Sequence, residues 1–194
     1  MRKRVSALLL AAVLCLMTAC GSIPASEQTP TLPGEYPMEL VFSSGAGAWR
    51  TFLTLNADGT FTGAYSDSDM GDADEAYPNG TFYFCSFSGQ FEVPAPTGTY
   101  ATPLHLVGLT CNDDVPEEEI RDGIRRIHAG PHGFYSYETG AQAETVVFYT
   151  PDTPVAELSE EMLSWWPGRF EEETPDTLGC YALWIPDAGT AFFS

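Results

Sequence analysis

Residues 60–66 alternate strictly: Phe61, Gly63 and Tyr65 point one way, and Thr60, Thr62 and Ser66 the other. A period of two fits a half-buried strand and no helix. Turn chemistry brackets this run. Asn56-Ala57-Asp58-Gly59 precedes it, and Asn79-Gly80 lies ahead of the next apolar run. Strands are predicted over 38–43, 47–55, 60–66, 81–91 and 102–110. On the fourth, Tyr83, Cys85, Phe87 and Phe91 share a face; on the fifth, His105, Val107 and Leu109 align. Consecutive strand–turn–strand units of this kind imply a single antiparallel meander.

Past residue 110 the pattern becomes mixed. Pro116, the carboxylates Glu117 to Glu119 and the following Gly123 read as a short helix over 116–122, with a strand over 124–129 after it. The run TVVFYT places a strand over 144–150. Ser159 is placed to cap a second short helix through Trp166, with Leu158 and Leu163 as a hydrophobic staple. Closing strands are expected over 178–185 and 190–193. The whole reads as a mostly-β domain with two short helices, either a barrel or a sandwich, in which barrel closure removes exposed edges.

The N-terminus carries an address. Arg2, Lys3 and Arg4 precede a 13-residue apolar run, Val5 to Met17, too short for the roughly 20 residues of a membrane-spanning helix. Such a run suits the core of a secretory signal. It ends in Leu16-Met17-Thr18-Ala19-Cys20, which resembles the lipobox of bacterial lipoproteins. That resemblance implies cleavage between Ala19 and Cys20, lipid on the Cys20 thiol, and an extracytoplasmic protein anchored to the cell membrane. Each buried CH₂ of an acyl chain adds about 0.8 kcal/mol. The expected organisation is a signal over 1–19, a lipidated cysteine with a Ser/Thr/Pro-rich tether over 20–33, and one β-rich domain over 34–194.

Charge narrows the partners. The three signal cations leave five arginines against 27 carboxylates, a formal charge of −22 with no lysine. Such a chain repels phosphate backbones, so nucleic acid is excluded as a partner. Lysine absence removes Schiff-base, Ser-Lys and P-loop chemistry. No G-x-S-x-G, H-E-x-x-H or S-x-x-K pattern occurs. No catalytic residue is assigned, and the chain is read as non-enzymatic.

Gly47-Ala48-Trp49 on an early strand resembles the G-x-W fingerprint of lipocalins, small β-barrels that hold a ligand. The other lipocalin signatures, a T-D-Y loop and an arginine near the last strand, are absent. The mature region is also similar to small lipoproteins of anaerobic Gram-positive bacteria, a resemblance that names no site.

Four constellations remain. Asp67, Asp69, Asp72, Asp74 and Glu75 form an acidic loop that either wraps a calcium ion with oxygen ligands or is a solvated loop. Cys85 and Cys111 are the cysteines best placed to pair; the alternative is buried thiols, Cys180 included. His128 and His132 are four apart, but Gly130-Pro131 between them breaks any helix, so they do not form a zinc pair. Tyr83, Phe84, Phe87, Trp165, Trp166 and Trp184 either build the core or line a pocket or saccharide platform. Three functions follow: binding of a small molecule or saccharide, a protein–protein module of the envelope, or an envelope hydrolase.

Overall fold

The computed structural model describes residues 30–111 and 114–194. The expected signal over 1–19, the expected lipidation at Cys20 and the expected tether up to residue 29 lie outside the described residues. The packed chain starts before residue 34, because Leu32 is buried and its N–H donates to Ala57 O at 2.9 Å.

Ten strands form: β1 (Met38–Ser43), β2 (Trp49–Leu55), β3 (Thr60–Asp69), β4 (Thr81–Glu92), β5 (Ala101–Cys111), β6 (Glu118–Arg121), β7 (Ile124–His128), β8 (Thr145–Tyr149), β9 (Ala182–Ile185) and β10 (Thr190–Phe193). Eight of them close an antiparallel barrel in the order β1-β2-β3-β4-β5-β8-β9-β10, with Val41 of β1 opposite Phe193 of β10 at the seam. The architecture is lipocalin-like, and the expected turn at Asn56–Gly59 sits between β2 and β3. Closure leaves these strands without free edges.

Two expectations fail around this barrel. The helix predicted over 116–122 is β6, one arm of a hairpin with β7. Asp122 (φ 54°) and Gly123 (φ 73°) both adopt the left-handed conformation of a two-residue hairpin turn, so Asp-Gly outweighs the helix-start signals around Pro116. The meander is also interrupted. β7 pairs in parallel with β4 over residues 81–84, while β5 takes the same side of β4 over residues 87–92. The sheet therefore forks at Cys85 and Ser86. A third difference is local. β5 bulges at Val107, because Gln90 faces Gly108 and Phe91 faces Leu106. His105 and Val107 are exposed, whereas Leu109 beyond the bulge packs on the core.

Inward side chains fill the lumen. Leu40, Phe42, Leu53, Leu55, Phe91, Val146, Phe148, Leu183 and Ile185 are buried there. Two glycines make room for large rings across the strand pair: Phe61 lies opposite Gly89, and Phe87 opposite Gly63. A Cβ on Gly63 would collide with the Phe87 ring, and one on Gly89 with the Phe61 ring. The long loop between β7 and β8 closes the interior with Phe134. Its fully buried ring stacks on Phe61 (5.6 Å between centroids) and packs on Phe87 (5.6 Å) and Phe192 (5.5 Å). Two buried threonines dock that loop: Thr51 Oγ1 donates to His132 O at 3.0 Å and Thr190 Oγ1 to Gly133 O at 2.7 Å.

Outside the wall, residues 155–180 cover β8, β9 and β10. Met162, Trp166, Leu178, Ala182, Trp184, Ala191 and Phe193 form this second core. Both faces of β9 and β10 are thus buried, which is why ALWI and TAFF read as continuous apolar runs. The second helix forms as α1 (Glu160–Leu163), with Ser159 Oγ accepting from Met162 N–H. It stops after one turn, short of Trp166.

Candidate functional site

One end of the barrel opens onto a cleft of about 390 Å³ lined by Tyr65, residues 129–133, Tyr135, Ser136 and Tyr137. Its parts come from three places. Tyr65 follows Phe61 and Gly63 on the inward face of β3, and Asp67 continues that face beyond the packed lumen. Trp49 begins β2. His132, Tyr135 and Tyr137 flank Phe134, so the loop that plugs the barrel also furnishes the mouth.

His132 lies at the centre of an aromatic box. Its ring is stacked on Phe42 (5.6 Å) and meets Trp49 (5.0 Å), Tyr65 (4.9 Å) and Tyr137 (5.8 Å). Burial pushes His132 below the ordinary histidine range, and the nearby Asp67 carboxylate opposes that shift. At neutral pH the ring is uncharged. Its Nε2 shares a hydrogen bond with Tyr137 Oη at 3.1 Å, which fixes a tyrosine that is otherwise 74% exposed. Burial and the Asp67 carboxylate push Tyr65 up to about 12. The phenol therefore stays protonated and faces Asp67 Oδ2 at 3.5 Å. Tyr135 is raised by burial and by the neighbouring Cys111 and Cys85 thiols. The mouth thus offers ring faces beside a carboxylate, a neutral imidazole and protonated phenols.

The carboxylates of the acidic loop do not converge. Asp69 Oδ1 accepts from Gly71 N–H (2.8 Å) and Asp72 N–H (3.2 Å). Asp72 pairs with Arg125 at 3.6 Å, and Asp74 Oδ1 accepts from Ala76 N–H at 3.4 Å. Glu75 is exposed. Among the described residues no three His, Cys, Asp or Glu side chains are grouped to hold a metal. Cys85 and Cys111 are brought together, with sulfurs 3.6 Å apart. His128 packs against Phe84 and stands apart from the mouth. Trp166, Trp184 and Phe87 are core.

The sequence rules His132 out of a zinc pair and places Tyr65 only on one face of a strand, and no motif in it marks Tyr135 or Tyr137. The available signal was the density of Tyr and Gly in 130–140. A second open groove, about 660 Å³, runs along the outer wall past Val41, Trp165, Arg169 and Phe170. Its lining carries no carboxylate or imidazole. No family model, curated protein or solved structure matches this chain.

Proposed function

We propose that the protein is a non-enzymatic binding protein, held at the outer side of the cell membrane by lipid on Cys20, that takes a neutral saccharide at the barrel mouth. The observation that carries the reading is the pairing of an exposed but pinned Tyr137 with the convergent polar groups of Asp67, Tyr65 and His132. Sugar C–H faces pack on aromatic rings, and sugar hydroxyls need both acceptors and donors. The acidic surface disfavours anionic ligands. With Phe134 in the lumen, the ligand rests on the barrel rather than inside it.

The test is calorimetric titration of a panel of neutral envelope oligosaccharides into the full chain. A binder is expected, with Tyr137→Ala weakening it by about 10-fold, the worth of one stacked ring. Equal affinity in the variant would sink the proposal.

A second reading, an interaction module of the envelope, is favoured by Phe170. It is 78% exposed beside the outer groove, with the Arg169 guanidinium 4.5 Å over its ring. A photo-crosslinking residue at position 170 that yields one defined envelope partner supports this reading; labelling of lipid alone argues against it.

A further inference from the structure

The fork in the sheet places two thiols side by side. β4 is paired to β7 through residue 84 and to β5 from residue 87, so Cys85 stands where the ladder on that side is open. Cys111, opposite Phe87 at the end of β5, reaches across the gap diagonally. The two Sγ atoms are 3.6 Å apart, within reach of the ~2.05 Å bond by small side-chain rotations. Cys85 is buried and also lies 3.7 Å from Ser86 O, while Cys111 is partly exposed. Tyr135 of the mouth neighbours both. Cys180 packs in the second core, on the outer side of the wall.

We propose that Cys85 and Cys111 form a disulfide that staples β4 to β5 at the fork, beneath the barrel mouth. The chemistry is exchange with an organic disulfide. The Cys111 thiolate, the accessible member, attacks one sulfur of the donor R–S–S–R and expels RS⁻, leaving a Cys111–S–S–R adduct. The Cys85 thiolate then attacks the Cys111 sulfur and expels the second RS⁻. Two cysteine thiols are oxidised, the donor is reduced to two thiols, and the two cysteine protons end on the released thiolates or in solvent. The placement of both sulfurs in one chain, 3.6 Å apart, makes the second step intramolecular, so the mixed adduct does not persist.

The full chain, first reduced with dithiothreitol, is treated with oxidised glutathione and mapped by mass spectrometry without reduction. The expected result is a linked pair of peptides containing Cys85 and Cys111, lighter by two hydrogens, with Cys180 still open to alkylation after unfolding. The melting temperature should rise by roughly 5–10 °C, as expected for a crosslink of this loop length. Cys180→Ser should behave identically, and Cys85→Ser should stop at a glutathione adduct on Cys111. Wild-type protein that stops at that adduct, links Cys85 or Cys111 to another cysteine, or leaves both thiols alkylatable overturns the proposal. The wild-type mapping decides the matter even if Cys85→Ser fails to fold.

Discussion

His132 shows how burial sets chemistry at a single residue. Its ring is enclosed by Phe42, Trp49, Tyr65 and Tyr137, and desolvation lowers its proton affinity relative to the unfolded chain. The charged group facing it is Asp67, which works in the opposite direction. Below the ordinary histidine value of 6.5 the unfolded chain binds a proton that the folded chain resists. This contribution is complete above that value and lost as pH falls below it. Lowering pH from about 7.5 to about 5.5 should therefore reduce the melting temperature more in the wild type than in His132→Asn. Equal pH slopes would show that the box does not resist the charge. Gly89 poses a steric case. Its missing Cβ is the space that the Phe61 ring occupies, so Gly89→Ala should cost about 1–3 kcal/mol in urea unfolding. A neutral outcome would mean that the Phe61 and Phe134 rings repack freely.

At the scale of elements, what could be read from sequence depended on whether local signals agreed. β1 and β10 match their expected limits because alternation over 38–43 lies between Pro37 and the Ser/Gly run after it, and the apolar run of β10 follows directly on Gly189. Ser159 was legible as a cap because its partner, Met162 N–H, is three residues away. The strand β7 was legible, but β6 reads as a helix because Pro116, three glutamates and Gly123 imitate one; the Asp122-Gly123 turn, reinforced by the long-range pairing of β7 with β4, outweighs those signals. The Val107 bulge, which turns Leu109 inward, has no local mark stronger than Gly108. The plug loop was invisible for a similar reason: Phe134 is placed by hydroxyls of Thr51 and Thr190, distant in sequence. Removing one of them, as in Thr190→Val, leaves the Gly133 carbonyl without its donor. It should cost about 1–3 kcal/mol and raise hydrogen exchange across 130–140. Unchanged exchange would contradict the docking role. The acidic loop is held by its own N–H groups and by Arg125, which also pairs with Glu118 at 3.0 Å. Millimolar calcium should accordingly leave the melting temperature unchanged; a rise of several degrees would restore the loop as a cation site.

For the molecule as a whole, barrel closure and the plug have opposite consequences. Closure protects the strand edges, and the plug turns an interior that could have held a ligand into a packed core. Phe134→Ala should cost about 3–5 kcal/mol, the range for emptying a buried phenylalanine site. At that end of the barrel a ligand meets the rim, where the same loop sets His132, Tyr135 and Tyr137 beside Tyr65 and Asp67. The strong negative charge suits such a rim to neutral or basic partners. The most direct measurement is native mass spectrometry of the full chain recovered from its own cell envelope, alongside Tyr137→Ala. The account predicts an organic adduct of saccharide mass on the wild type that the variant lacks. A bare wild-type mass, or an adduct that survives loss of Tyr137, would contradict it.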